Sequence, residues 1–122
     1  MSLHIEAQLL KCGAKTGNEL YVPKEKTVDA LAAILKGGGC VLGLEEFVLA
    51  VNKTQPTQEI FDASSLLDSS HDWDQARNGC DLKAKAWLGK LAKTNGKSFS
   101  VEWLTEDEWG HLIREGGPDR EP

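Results

Sequence analysis

The stretch that decides the fold lies near the C-terminus and reads Ser98-Phe99-Ser100-Val101-Glu102-Trp103-Leu104-Thr105-Glu106-Asp107-Glu108. Its first part places Phe99, Val101 and Trp103 at alternate positions, separated by polar residues. A period of two is typical of a strand with one buried face. Thr105, followed three residues later by Glu108, forms a capping box, which starts a helix. The stretch therefore predicts a strand over 98–104 that leads directly into a helix.

Two more helices are predicted upstream of this strand. One runs from residue 72 to residue 93, with a break at Asn78-Gly79, because its apolar residues recur at helical spacing. The other covers 28–36 and is capped by Thr27 and ended by Gly37 in the left-handed conformation. Its predicted buried stripe consists of Val28, Leu31, Ile34 and Leu35.

The N-terminal half supplies the other predicted strands. Residues 3–11 alternate apolar and polar side chains, which predicts a strand, and a short run at 20–22 predicts a second one. Residues 40–44 and 47–51 are predicted as two apolar strands joined by a turn at Glu45-Glu46. A helix that begins near residue 44 is the alternative for this region.

The segment between these strands and the long helix is more polar. A polar loop is predicted over 52–56, followed by one or two helical turns from Thr57 to Phe61. The serine-rich residues 64–70 are predicted to be irregular.

The resulting order of elements predicts an α+β fold. It consists of a mostly antiparallel sheet of four to five strands with three to four helices packed on it. A length of 122 residues fits a single domain, which we assign to 1–116. The last residues, 117–122, follow two glycines and are predicted to be a frayed tail.

The composition excludes several classes of protein. The chain is 40% hydrophobic and 27% charged, as globular proteins are. Its longest apolar runs are far shorter than the ~20 residues that span a bilayer, and the N-terminus lacks the pattern of a secretory signal. The three cysteines are widely spaced and odd in number, which argues against a disulfide framework or a zinc finger. We therefore expect a cytoplasmic protein with reduced cysteines and no membrane contact.

The negative charge is concentrated at one end of the chain. Residues 1–97 contain 12 basic and 12 acidic residues, whereas residues 98–122 contain 2 basic and 7 acidic ones. The formal net charge of −5 thus comes from the C-terminal part alone. Such a segment either improves solubility or presents a negative surface to a basic partner.

Motifs of common enzymes are absent from the sequence. There is no P-loop, dinucleotide fingerprint, H-E-x-x-H, nucleophile elbow or EF-hand loop. The run Gly37-Gly38-Gly39 follows a helix and precedes a strand, so it is predicted to end the helix rather than to bind phosphate. We expect no cofactor and no metal site. The alternative is a small enzyme or ligand-binding domain with a site near Cys40, His71 and Asp72.

A second alternative is contact with nucleic acid. Lys83, Lys90, Lys93 and Lys97 fall near one face of the long predicted helix, and residues 82–97 contain no acid. The acidic balance of the whole chain disfavours this function.

The leading hypothesis is a non-enzymatic binding protein for a basic protein partner. The chain contains four tryptophans, a residue type enriched at binding hot spots. The predicted surface consists of Glu102, Glu106, Asp107, Glu108, Trp109 and Glu115. Compact acidic immunity proteins and antitoxins of bacteria are similar to this chain in size and charge, which suggests an immunity or inhibitor type of protein.

Overall fold

The computed structural model describes residues 2–16, 19–50, 53–69, 72–91 and 97–111. These residues form five α-helices, five β-strands and one 3-10 turn at Lys24–Lys26. In chain order the helices and strands are α1 (Ser2–Cys12), β1 (Ala14–Thr16), β2 (Glu19–Pro23), α2 (Thr27–Lys36), β3 (Cys40–Ala50), β4 (Lys53–Asp62), α3 (Ser64–Ser69), α4 (Trp73–Lys90), β5 (Lys97–Leu104) and α5 (Glu106–His111). Within the described ranges, none of the helices combines the length and the apolar composition needed to cross a bilayer.

The strands form one antiparallel sheet in the order β1-β2-β5-β3-β4. The α+β fold with an antiparallel sheet, predicted from the sequence, is confirmed. β5, the most clearly predicted strand, lies at the centre of the sheet between β2 and β3. A central strand has partners on both sides, and Phe99 and Val101 on the apolar face of β5 are both buried.

The helices α1, α2 and α4 contact the sheet and form a layer with one another. Trp87 of α4 packs edge-on against Phe99 of β5, with ring centroids 5.9 Å apart, and also contacts Phe61 of β4 at 6.0 Å. The core between the two layers includes Ile5, Leu9, Val22, Leu31, Ile34, Leu44 and Phe99, all with at most 2% of their surface exposed. Burial of these apolar surfaces supplies the main driving force for folding.

The N-terminal element is a helix, so the strand predicted over 3–11 is wrong. Ile5 and Leu9 are both buried, whereas Ala7, which the strand would have placed on the same face, is exposed. Residues four apart share one face of a helix, and a short apolar run can satisfy both periods. Packing of Ile5 and Leu9 over β2 and α2 selects the helical arrangement.

The hairpin predicted within 40–51 is also wrong, because β3 continues through Glu45 and Glu46. β4 occupies the region predicted as a loop and helical turns. The described part of β3 pairs with β4 on one side and with β5 on the other. Two ladders of backbone hydrogen bonds thus keep the polar pair in the strand, against its local preference for a turn.

The helix predicted over 28–36 is confirmed as α2, but its ends and its buried face differ from the prediction. Thr27 lies inside the helix, where its hydroxyl donates a hydrogen bond to the Pro23 carbonyl at 3.0 Å. The left-handed backbone occurs at Gly38, with φ of 87°, and not at Gly37. Val28 is 53% exposed, because α2 turns Thr27 and Ala30 toward the core instead.

The longest predicted helix is confirmed as α4, without the break predicted at Asn78-Gly79. Asn78 stays in the helix with its side-chain amide donating to the carbonyl of Asp74. The irregular segment predicted at 64–70 contains α3 instead. The capping box before α5 is confirmed: the Thr105 N–H donates to Glu108 Oε1 at 2.8 Å, and the Glu108 N–H donates to Thr105 Oγ1 at 3.3 Å.

Candidate functional site: an acidic cleft on the sheet

The face of the sheet opposite the helices is formed by the residues that alternate with the core. Leu44 and Glu46 of β3 pair with the buried Val101 and Phe99, so these four point toward the helices. Their neighbours along the strands point the other way. We call this second side the open face; it consists of Glu19, Tyr21, Gly43, Glu45, Phe47, Ile60, Asp62, Ser98, Ser100 and Glu102.

A cleft of about 300 Å³ lies on the open face. Four strands contribute acidic side chains to its lining: Glu19 from β2, Glu45 from β3, Asp62 from β4 and Glu102 from β5. Among its described lining residues none is basic. Four carboxylates on one cleft make its lining negatively charged, and such a lining attracts positively charged groups.

Small residues form the floor of the cleft. Gly43 has no side chain, and a Cβ atom there would lie 3.2 Å from the Phe61 carbonyl oxygen and 3.5 Å from Glu102 Oε1. The absence of a side chain at Gly43 therefore leaves room for the Glu102 carboxylate above the backbone of β3. Ser100 lies beside it, and its hydroxyl donates a hydrogen bond to Glu19 Oε1 at 2.8 Å. This bond orients one carboxylate at the rim.

Asp62 is held in its charged form at the end of β4. The Ser64 hydroxyl donates to Asp62 Oδ1 at 2.6 Å, and the Ser64 N–H donates to the same atom at 2.9 Å. These two hydrogen bonds lower the pKa of the Asp62 carboxyl below its usual value. The cleft thus keeps this negative charge over a wider range of acidic pH.

A second hollow adjoins the cleft and reaches toward α5. Leu42 and Glu102 line both hollows, and the second one is also lined by Val101, Trp103 and Glu108. Of the residues predicted from sequence to bind a partner, Glu102 and Glu108 are therefore brought close together. Glu108 is less free to reach a partner, because its carboxylate is engaged in the capping box.

The other predicted surface residues lie apart from the cleft. Glu106 and Asp107 are exposed in the first turn of α5 and line neither hollow. Trp109 is partly buried and packs against Trp73, with ring centroids 5.4 Å apart. Glu115 lies outside the described residues. All four tryptophans, Trp73, Trp87, Trp103 and Trp109, are partly buried against the core.

Sequence reasoning missed Glu19, Glu45 and Asp62. These residues lie far apart in the chain, within a segment whose net charge is zero, so a count along the sequence does not single them out. Glu45 was also assigned to a turn. Correct strand assignments would have revealed part of this set. Because alternate residues of a strand share a face, Glu19 lies on the same side as Tyr21, and Glu102 lies on the same side as Ser100.

The alternative site near Cys40, His71 and Asp72 gains no support. Cys40 is fully buried, and its thiol donates a hydrogen bond to the Val41 carbonyl at 3.5 Å. Asp72 is an exposed N-cap of α4, accepting a hydrogen bond from the Gln75 N–H at 3.1 Å. Among the described residues, no hydrogen bond or ion pair joins Asp72 to Cys40. His71 lies outside the described residues, and no metal-binding group of three or more ligands is found among the described ones.

The predicted lysine face is divided between two elements. Lys83 and Lys90 are exposed on α4, which ends at Lys90, whereas Lys97 belongs to β5. Lys97 Nζ lies 3.7 Å from the buried carboxylate of Glu46, where it serves as a counter-ion. Lys93 lies outside the described residues. A continuous basic helix face from Lys83 to Lys97 is therefore not present.

Glu46 is the most deeply buried acidic residue among those described, with 2% of its surface exposed. Thr57 Oγ1 donates to its Oε1 at 2.6 Å, while Oε2 has no hydrogen-bond partner. β4 bulges opposite Glu46, because Glu45 pairs with Ile60 and Phe47 pairs with Pro56. The bulge brings the Thr57 hydroxyl to the Glu46 carboxylate. This local distortion thus gives one oxygen of the buried carboxylate a hydrogen-bond donor.

We expect Thr57→Val to lower the free energy of unfolding by about 1–2 kcal/mol, because it leaves a buried carboxylate oxygen without its donor. Urea denaturation of the variant and the wild type measures this difference. Thr54→Val is the matched control, since Thr54 is exposed on the same strand; it should change stability by less than about 0.5 kcal/mol. Equal effects of the two substitutions would contradict a stabilising role for the Thr57–Glu46 hydrogen bond.

No protein-family model, no curated protein and no solved structure matches this chain.

Proposed function

We propose that this chain is a non-enzymatic binding protein whose open face docks a positively charged protein partner, as an immunity or inhibitor protein does. The observation that carries the proposal is the cleft lined by four carboxylates and by no described basic residue. The proposed binding surface lies on the sheet rather than on α5, and Glu102 belongs to both this surface and the one predicted from the sequence.

The chemistry of the cleft favours lysine or arginine side chains as its ligands. Arginine presents N–H donors in a planar fork that matches carboxylate oxygens, and such charge-assisted hydrogen bonds are stronger than neutral ones. The same carboxylates repel phosphate groups, which disfavours nucleic acid as the partner of this face.

Apolar groups beside the cleft support docking of a protein rather than of a free cation. Tyr21 and Phe47 form an edge-on pair on the open face, with ring centroids 5.3 Å apart. Ile60 is 58% exposed at the opposite side of the cleft. Aromatic and aliphatic side chains next to charged ones are typical of the anchor regions of protein interfaces.

The β4 edge of the sheet is poorly suited to bind a partner as an added strand. β4 forms this edge, and it contains Pro56, which has no N–H, and Gln58 in the left-handed region with φ of 76°. Proline and a bulge both interrupt a row of backbone donors and acceptors. Docking onto the face therefore fits this sheet better than pairing along the β4 edge.

Binding of a short basic peptide tests the proposal. The probe is a blocked hexapeptide of arginine, titrated into the protein at low and high salt, with Kd measured by NMR chemical shifts. We expect Glu45→Gln combined with Glu102→Gln to raise Kd roughly tenfold, a loss of about 1.4 kcal/mol. Added salt should weaken binding to the wild type by screening the same charges.

The matched control removes the same amount of charge from α5 through Glu106→Gln combined with Asp107→Asn. We expect this variant to change Kd less than roughly threefold, because screened charges outside the cleft contribute little. Gly43→Val, which fills the floor without a change of charge, should weaken binding as well; thermal melts confirm that each variant is folded. Equal losses in the cleft and α5 variants would mean that net charge alone attracts the peptide and would refute the cleft.

A further inference from the structure

The second hollow, beside the acidic cleft, is lined mainly by hydrophobic side chains. It has a volume of about 300 Å³ and lies where β5 leads into α5. Its described lining consists of Leu42, Val101, Glu102, Trp103 and Glu108. Leu42 and Glu102 also line the cleft, so the two spaces share a wall. One ligand can therefore occupy both spaces.

A β-bulge places Leu42 between the cleft and the second hollow. The β5 partners of Val41 and Gly43 are adjacent residues, so Leu42 is the extra residue of β3 in this ladder. The Leu42 carbonyl accepts a hydrogen bond from the Ala63 N–H at 2.9 Å, which connects the bulge to the segment between β4 and α3. Bulges of this kind re-aim a side chain, and here the bulged residue contributes an apolar side chain to both spaces.

Carboxylates flank the apolar part of the second hollow. Glu102 belongs to the wall shared with the cleft, and Glu108 is contributed by α5. Thr105 donates two hydrogen bonds to Glu108 Oε1, which fix this carboxylate in position. An apolar centre with a charged rim is typical of anchor positions in protein interfaces. A second copy of this chain docked face to face would bring its own carboxylates against these, so charge complementarity favours a basic segment as the occupant.

We propose that the second hollow is the anchor site for one hydrophobic side chain of the basic partner, carried on a segment in which arginine or lysine residues flank that side chain. This inference rests on the proposed function of the cleft and narrows the partner to one with an apolar residue inside a basic segment. In an extended segment, residues i and i+2 point the same way and lie roughly 7 Å apart, which suits two spaces that share a wall. Binding then depends on an apolar residue as well as on positive charge.

Two blocked hexapeptides of equal charge test this anchor site. Both contain five arginines, and the fourth position is leucine in one peptide and serine in the other. We expect the leucine peptide to bind the wild type roughly fivefold more tightly, because a leucine side chain gains free energy even when only part of it is removed from water. Kd is measured by NMR chemical shifts. Only the leucine peptide should shift the indole N–H signal of Trp103, which the Trp103→Phe variant identifies.

Leu42→Ala tests whether the leucine of the peptide occupies the second hollow. We expect this variant to prefer leucine over serine by less than roughly twofold, because most of the apolar side chain in the shared wall is lost. Its Kd for the serine peptide should stay close to that of the wild type, because the charge of the cleft is unchanged. Leu82→Ala is the matched control: Leu82 is 67% exposed on α4 and lines neither space, so the preference should remain. Thermal melts confirm that both variants are folded.

Equal affinity of the two peptides for the wild type would refute the anchor site, but the cleft would stand if Glu45→Gln combined with Glu102→Gln still weakened both. Binding of neither peptide would refute the cleft and the anchor site together. A preference that Leu42→Ala leaves intact would place the leucine elsewhere on the protein and overturn the proposal. A Trp103 signal that shifts with protein concentration before peptide is added would assign the second hollow to a second copy of the chain, which also overturns it. The peptide comparison uses the wild type, so it does not depend on the folding of any variant.

Discussion

Phe99→Ala is expected to lower the free energy of unfolding by about 3–5 kcal/mol, the range for removal of a fully buried aromatic ring. Phe99 has no exposed surface and lies on the central strand β5. Its ring packs edge-on against Trp87 of α4 and therefore joins the sheet to the helix layer. Its loss removes apolar burial, leaves a cavity and ends an aromatic contact. Urea denaturation followed by circular dichroism measures the change.

Val28→Ala is the control for this substitution. Val28 was predicted from the sequence to be buried, but it is 53% exposed on α2. Its truncation should change stability by less than about 0.5 kcal/mol, as surface substitutions do. A loss of less than about 1 kcal/mol for Phe99→Ala would mean that the core between β5 and α4 is not packed as described.

Gly13→Ala is the second substitution with a large expected effect, a destabilisation of about 3 kcal/mol or more. A Cβ atom at Gly13 would collide with the carbonyl oxygen of Tyr21 and would lie 2.9 Å from the Cα of Val22. These are backbone atoms of β2, which cannot rotate away as the end of a side chain can. The substitution must therefore push α1 away from the sheet and weaken the burial of Ile5 and Leu9.

Gly79→Ala is the control, and we expect it to raise stability rather than lower it. Gly79 lies inside α4, and apart from its chain neighbours and the nearby backbone of the same helix, no described atom lies within 4 Å of a Cβ built there. Because alanine favours the helix over glycine, we expect a gain of about 0.5–1 kcal/mol. Thermal and urea melts of both variants measure the two effects. If Gly13→Ala were as stable as the wild type, the chain at Gly13 would not lie as close to the backbone of β2 as described.

The acidic cleft illustrates how a site can be invisible in a linear count of charge. Glu19 and Glu102 are more than eighty residues apart, yet β2 and β5 are neighbours in the sheet. The sequence count located the excess negative charge near α5. The sheet order instead combines Glu102 with carboxylates from three other strands. We could have predicted that Glu102 is exposed from the alternation of β5, but its neighbours depend on which strands pair.

The sequence by itself determined the elements whose local signals agree with their environment. The alternation of 98–104, the capping box at Thr105 and the helical spacing in α4 each predicted an element that the structure contains. The hydrophobic period and the capping hydrogen bonds involve residues that are close together in the chain. These elements can therefore be predicted without knowing which distant residues they contact.

Only the tertiary structure decided the elements whose local sequence signals were ambiguous or favoured a different conformation. Residues 3–11 satisfy both periods, and packing over β2 made them helical. Glu45 and Glu46 favour a turn, but pairing on both sides keeps them in β3. The same strand pairing places Glu45 in the cleft and Glu46 in the core, because successive residues of a strand point to opposite faces. Long-range packing thus placed one acidic residue in the acidic cleft and its neighbour in a buried hydrogen bond.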